Sequence, residues 1–216
     1  METSLYVHGI GGRMGRTIAA LIENDAKLSL KNSLETADVA IDFSSHAALA
    51  DLLKSCAEHH KPAVIGTTGH SEENMQLLQK MSQQIPILFS PNFSLGMAVT
   101  LEAAQQISRQ LNGLCQIEII EAHHQTKKDK PSGAALKLAK ALCDLRDRGD
   151  KEIPIHSIRA GDIIGDHTVV FVMNGERIEL KHQAQSREVF ARGALLAAQF
   201  IKTQPPGLYS VKDLLV

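Results

Sequence analysis

The run Leu5-Tyr6-Val7-His8-Gly9-Ile10-Gly11-Gly12-Arg13-Met14-Gly15 decides how the chain is read. Its apolar start reads as a short strand, its glycines as a tight turn, and Arg16–Glu23 behind it as a helix. Strand, glycine turn and helix in that order are the setting in which a glycine motif has physical meaning. Glycine permits the turn and lets a phosphate approach the backbone, while the opening N–H groups of the helix attract its charge. The spacing departs from a regular G-x-G-x-x-G, because Met14 stands at the last glycine position; Gly9, Gly12 and Gly15 space better. Taken alone, a glycine turn without a ligand fits these residues equally well. Arg13 could reach a phosphate or lie in solvent.

The same grammar then repeats. Val39–Phe43 reads as a buried strand, with Ser44-Ser45 placed to cap a helix over Ala47–Glu58. Pro62–Gly66 is a strand, followed by Thr67-Thr68-Gly69 and a helix over Glu72–Gln84. Pro86–Ser90 is another, leading through Pro91-Asn92-Phe93-Ser94 into a helix over Met97–Leu111. Short apolar strands alternating with helices predict a parallel sheet with right-handed crossovers. In such a sheet the turns Gly9–Gly15, Asp42–Ser45, Gly66–Gly69 and Ser90–Ser94 share one edge, and this recurrence says more than the glycines alone. Between Asn24 and Asp38 the chain is short and polar, with one possible strand at Leu28–Leu30. Dinucleotide folds place a ribose-binding acid about 20 residues past the glycines. Glu35 stands near that distance in a turn-like setting and is not assigned the role.

After Leu111 the pattern changes. Gln116–Ala122 reads as a strand, Ser132–Arg148 as a helix, and Ile155–Arg159, Thr168–Met173 and Glu176–His182 as strands. Asn174-Gly175 is a strong hairpin signal. Ile178 and Leu180 alternate with Arg177, Glu179 and Lys181, giving one buried and one wet face. These elements predict an α+β domain with a mixed or antiparallel sheet whose open face could join subunits. Arg187–Ile201 is an alanine-rich apolar helix, and Leu208–Val216 is a small tail expected to dock on the first domain. The fold class is therefore α/β: a shortened N-terminal Rossmann-like parallel sheet plus an α+β domain with a mixed sheet.

The chemistry concentrates in Glu121-Ala-His-His-Gln-Thr-Lys-Lys-Asp-Lys-Pro-Ser-Gly133, between a strand and a helix. Histidine supplies a proton near neutral pH, lysine supplies positive charge, and a helix opening at Pro131-Ser132-Gly133 supplies unpaired N–H donors. Together they read as an anion-substrate site with acid chemistry; the bland alternative is a solvated loop of mixed charge. A metal site is not expected, because adjacent histidines on a strand point to opposite faces and no further ligand completes a shell. His59-His60 reads as a surface pair, and His167 and His182 as structural residues of the second domain, either of which could touch substrate if it lay near the site.

The chain has 216 residues and a formal net charge of −1, which argues against non-specific nucleic-acid binding. Aromatic residues are 4% of the chain and tryptophan is absent, which disfavours stacking on bases. No run is long enough to span a bilayer, and the N-terminus has no signal-peptide layout. Cys56, Cys115 and Cys143 are odd in number and far apart, as in a reduced, cytoplasmic metabolic protein.

These motifs, in this order, resemble the 4-hydroxy-tetrahydrodipicolinate reductase (dihydrodipicolinate reductase) family. The likeness covers nearly the whole chain and is most specific in Glu121–Gly133, with Arg159-Ala-Gly161, Gly165-Asp-His167, Arg187, Phe190 and Gly193-Ala194 also fitting. It implies NADH or NADPH lying across Gly9, Ile10, Gly11, Gly12, Arg13 and Met14, Gly66, Thr67 and Thr68, and Ser90, Pro91, Asn92 and Phe93. It implies a small dicarboxylate held by His124, Lys127, Ser132, Gly133 and Ala134, with His123 and Lys127 as the proton-transfer pair. It further implies hydride delivery to C4 of the substrate ring with loss of the 4-hydroxyl as water. A dinucleotide-binding domain would comprise residues 1–94 and 186–216, and a substrate-binding and tetramerisation domain residues 95–185, facing each other across a gap with hinges near Ser94–Gly96 and Ala184–Ser186. The family is usually a homotetramer. Three departures stand out: Ala134 replaces a threonine and should weaken substrate binding, Asn24–Asp38 lacks a strand and helix, and Lys130 replaces an alanine. The alternative is a catalytically silent nucleotide-binding protein of the same fold.

Overall fold

Short, largely apolar runs form strands in the first unit because they can be covered on both faces by the helices between them. The computed structural model describes residues 2–111, 113–145 and 152–215. The chain divides into two units, Met1–Phe93 with Arg187–Val216, and Ser94–Ser186.

In the first unit β1 (Thr3–His8), α1 (Arg13–Glu23), β2 (Leu28–Lys31), β3 (Val39–Asp42), α2 (Leu49–Glu58), β4 (Ala63–Ile65), α3 (Glu72–Met81) and β5 (Pro86–Phe89) follow in order. α6 (Glu188–Ile201) and β10 (Gly207–Tyr209) return from the far end of the chain. The strands form a six-stranded sheet in the order β10-β5-β4-β3-β1-β2, and every pairing in it is parallel. β3 is buried along its whole length because both faces are covered. Ala40, Ala63, Ile65 and Ile87 pack with Leu49, Leu53 and Cys56 of α2 and Leu78 of α3. The possible strand at Leu28–Leu30 is β2, so the segment expected to lack a strand and a helix lacks only the helix: residues 32–38 form neither helix nor strand, and β2 leads directly to β3. The tail does more than dock: β10 pairs with β5 as the sixth strand.

The second unit contains α4 (Leu95–Leu111), β6 (Gln116–His123), α5 (Gly133–Cys143), β7 (Ile155–Arg159), β8 (Gly165–Met173) and β9 (Glu176–Ala184). The end of the helix expected over Ser132–Arg148 lies outside the described residues. The sheet order is β7-β6-β8-β9, with β6 parallel to β7 and antiparallel to β8. Gly175, at φ +84°, closes the β8–β9 hairpin, with Met173 paired to Glu176. One sheet face joins Leu101 of α4 and Leu138 and Leu142 of α5 around Ile117, Ile119, Val169 and Phe171. Ile178, expected on the buried face of its strand, remains 39% exposed because it lies on the edge strand β9.

Candidate active site

In the first unit the strands finish in register: His8 beside Asp42, Asp42 beside Ile65, and Ile65 beside Phe89. The loops that follow them therefore share one edge of the sheet. Gly9 sits at φ +83°, and a side chain there would meet the Phe43 carbonyl oxygen at 2.9 Å. Gly12 N–H donates to the Gly9 carbonyl at 2.9 Å and closes the turn. A Cβ on Gly15 would lie 2.3 Å from that same carbonyl, so α1 can start this close to the turn only with glycine. No side chain caps α1 and its first turn holds no acid, which leaves its opening N–H groups for an anion. The turn also lies where the chain leaves β1 for β2 on one side and β3 on the other, the position at which open α/β sheets bind ligands. These residues fit a dinucleotide pyrophosphate.

Asp42, fully buried, ties neighbouring loops together. Its carboxylate accepts from Ser44 N–H at 3.0 Å, Ser44 Oγ at 2.5 Å and Thr67 Oγ1 at 2.7 Å. The expected helix cap at Ser44-Ser45 is thus replaced: Ser44 turns to Asp42, and Ser45 precedes a 3-10 turn without a side-chain cap. Among the residues assigned to the dinucleotide, Ile10, Gly11, Gly12, Arg13, Thr68 and Pro91 are exposed. Thr67 and Ser90 spend their hydroxyls on Asp42 and on the Asn92 carbonyl, and Phe93 is buried with its ring 5.7 Å from that of Phe43. β2 ends on Lys31, while Glu35 pairs with His59 at 3.8 Å.

In the second unit the chemistry gathers at the end of β6. Glu121 and His123 are two apart on a strand, so their side chains share a face. Pairing sets Arg159 of β7 beside His123 and His167 of β8 beside Glu121. The Glu121 carboxylate is fully buried; Oε2 meets His123 Nδ1 in a very short hydrogen bond, and Oε1 pairs with Arg159 Nη2 at 2.8 Å. With Nδ1 committed, Nε2 is the ring nitrogen left for proton exchange, 3.1 Å from where a Cβ on Gly165 would stand. Arg159 also donates to the Asp129 carbonyl at 2.6 Å, drawing in the loop that carries Lys127. The Lys127 amine pairs with Asp129 Oδ1 at 2.8 Å, and His124 Nδ1 meets Thr126 Oγ1 at 2.7 Å.

Ser132 caps α5 by accepting from Ala135 N–H at 3.2 Å, so the N–H groups of Gly133 and Ala134 open the helix toward an anion. The same hydroxyl lies 3.2 Å from His167 Nε2. Sequence reading thus places His123, Lys127 and Ser132–Ala134 at the ends of adjoining elements, but it passed over Glu121 and Arg159 as a pair and left His167 in a structural role. Nitrogen and oxygen atoms of Glu121, His123 and His167 lie within 4.8 Å of one another. Arg159 and His123 already share the carboxylate, while His167 meets the His123 ring edge-on, with centroids 5.2 Å apart.

Burial lowers the His123 pKa below the histidine norm, and the charges of Lys127 and Arg159 add to this, while Glu121 opposes it. For Glu121, burial acts upward, but hydrogen bonds from Arg159, Ser157 and His123 prevail and hold the carboxyl below its ordinary value. His167 is drawn down to about 4, first by burial and then by the charge of His123.

A glycine turn at the switch point of a parallel sheet, with a buried Glu–His–Arg cluster and an open helix N-terminus in a second unit, is the layout of a dinucleotide-dependent oxidoreductase. Residues 29–93 match the family model "Dihydrodipicolinate reductase, N-terminus" and residues 96–215 its counterpart "Dihydrodipicolinate reductase, C-terminus". The 4-hydroxy-tetrahydrodipicolinate reductase of Akkermansia muciniphila is 41% identical, covering 98% of this chain and 97% of that protein. That of Caldanaerobacter subterraneus is 39% identical, covering 99% and 98%. The chain belongs to the 4-hydroxy-tetrahydrodipicolinate reductase family, whose members use NADH or NADPH. In fold it matches the dipicolinate-bound dihydrodipicolinate reductase of Paenisporosarcina sp. TG-14, with a TM-score of 0.82 at 21% identity over the full length of both chains. The alignment to the Akkermansia enzyme spans 239 positions against a chain of 216, so that relative carries residues with no counterpart here.

His167 is neutral when folded and takes a proton when unfolded once pH falls below the ordinary 6.5, so its contribution is complete above that value and lost toward about 4. The loss should reach roughly 3 kcal/mol. Urea unfolding from pH 7 to 4 should show a correspondingly shallower decline in His167→Gln than in the wild type. An identical pH dependence in the two proteins would refute this account.

Proposed function

We propose that the chain reduces 4-hydroxy-tetrahydrodipicolinate to tetrahydrodipicolinate with NADH or NADPH, a step of diaminopimelate and lysine biosynthesis. The observation that carries this reading is the His123 imidazole, held through Nδ1 by buried Glu121, in a chain of this family. The net reaction takes up one hydride and one proton and releases the 4-hydroxyl as water. The dinucleotide, when bound across Gly9–Met14, Gly66–Thr68 and Ser90–Phe93, supplies the hydride to C4. His123 gives a proton from Nε2 and works as a general acid while protonated. Lys127, kept in place by Asp129, adds positive charge and the second proton-transfer group.

The Paenisporosarcina reductase is described as dipicolinate-bound, and a small dicarboxylate is the substrate class proposed here. His124, Lys127 and the N–H groups after Ser132 would take its carboxylates. Ala134 offers only its backbone donor where a threonine would add a hydroxyl. We assign residues 1–94 with 186–216 to dinucleotide binding and 95–185 to substrate binding and assembly.

The outer face of the second sheet, with Ile120, Ile158 and Val172 each at least 39% exposed, is the surface we assign to a homotetramer. The free cysteines support a cytoplasmic setting. Among the described residues no helix is long and apolar enough to cross a membrane, and neither a membrane nor a nucleic acid enters the proposed chemistry.

His123→Ala and Lys127→Ala should each lower kcat by about 10²–10⁴-fold while dinucleotide binding by fluorescence stays near wild type; unchanged turnover in both would remove the mechanism. The end of β2 carries Lys31 where a carboxylate would hold the ribose hydroxyls of NADH. A cation there suits a 2′-phosphate, so kcat/KM should favour NADPH by about tenfold, and Lys31→Glu should reverse the order. Equal preference in both proteins would dispose of that role. Light scattering should give the mass of four chains in the wild type and a smaller species in Ile120→Lys/Ile158→Lys; a wild-type monomer would rule the assembly out.

A further inference from the structure

We propose that Glu121 is the positioning residue of the proton donor: it holds the His123 imidazole with its proton on Nδ1 and balances the charge of the imidazolium. Arg159 keeps the carboxylate itself from taking the proton. The inference rests on the reading of His123 as the proton donor, and extends it to a residue that does not touch the reacting atoms.

Alternate residues of β6 facing the core are Ile117, Ile119 and then Glu121, so an apolar side chain would continue the pattern. Burying a carboxylate costs several kcal/mol, and buried ion pairs are often no better for stability than apolar replacements. Folding alone therefore gives no reason for an acid at this position. Its two oxygens are divided between two tasks: Oε2 takes the His123 Nδ1 contact, and Oε1 takes Arg159 Nη2 at 2.8 Å.

That division has a chemical consequence. A neutral imidazole can carry its proton on either nitrogen, and an acceptor at Nδ1 selects the form in which Nε2 is the basic atom. When Nε2 is also protonated, the ring is a cation facing other cations. The groups around it are Glu121 from β6, Lys127 from the following loop, Arg159 from β7 and His167 from β8, behind which lie Asp166 and His182. Lys127, Arg159 and burial all disfavour the imidazolium, and Glu121 is the neighbour that favours it. In the transfer, the Nε2–H bond breaks, its electron pair stays on the ring, and the proton bonds to the reduced substrate; solvent then reprotonates Nε2 while Glu121 stays ionised.

The test compares Glu121→Gln, His123→Ala and the double variant, with NADPH and the condensation product of pyruvate and aspartate semialdehyde. Glu121→Gln should lower kcat on the order of 10²-fold with KM changed less than about threefold, and Glu121→Asp should recover part of the loss. Loss of the carboxylate should also move the high-pH decline of kcat to lower pH, because the imidazolium is then harder to form. In the double variant kcat should fall no further than in His123→Ala, as expected of residues acting as one unit. Additive losses, or a pH profile that does not move, would overturn the positioning role while leaving His123 as donor. Full kcat in His123→Ala would instead defeat the parent reading. If Glu121→Gln does not fold, ¹⁵N NMR of the wild type decides: neutral His123 should carry its proton on Nδ1, and an Nε2-protonated ring would overturn the inference.

Discussion

A carboxylate removed from water must be given partners, and the second unit is arranged around that requirement at Glu121. The sheet order β7-β6-β8 brings one strand to each side of it, so Arg159 arrives from one neighbour and His167 from the other. Arg159 in turn holds the Asp129 carbonyl, and the backbones zip beyond it, with Ala160 N–H donating to the His123 carbonyl and Gln125 N–H to that of Gly161. The loop bearing Lys127 is thereby fixed by the same ion pair that sets the imidazole. Ser132 links the arrangement to α5 through His167. One buried charge thus holds the His123 imidazole directly and, through Arg159, the loop that carries Lys127.

The first unit rests on closeness of backbones rather than on charge. Parallel strands ending level with one another deliver their loops to a single edge, and Asp42 ties two of those loops by direct hydrogen bonds. The approach of α1 to its own turn, with Gly15 against the Gly9 carbonyl, brings the helix N-terminus to that edge. The direct link from β2 to β3 shortens this half without disturbing the order of the strands that carry the loops.

Much of this was legible in the residues. Alternating apolar strands and helices announce a parallel sheet because both faces of each strand must be covered, and Asn174-Gly175 announces its hairpin because glycine reaches positive φ readily. His123, Lys127 and Ser132 stand out because proton donors, cations and helix caps seldom crowd together by chance. Glu121 was in principle readable too, since Glu-x-His on a strand places both groups on one face. Arg159 and His167 were not: their meeting depends on which strand pairs with which and in what register, and no local pattern carries that information. The same limit explains Ser44, whose reach to Asp42 outcompetes the expected cap, and β10, whose three residues form a strand only because β5 offers an open edge.

The second unit is drawn wholly from a contiguous stretch, Ser94–Ser186, whereas the first requires both Met1–Phe93 and Arg187–Val216. On a ribosome, where chains emerge from the N-terminus at about 5–20 residues per second, the inserted unit has all its strands before its host has α6 or β10. Until α6 and β10 appear, β5 remains an unpaired edge, and the Phe93 carbonyl lacks the close approach of Gly193. The order of synthesis thus sets an order of completion: the contiguous unit can close early, and the interrupted unit only once α6 and β10 have emerged.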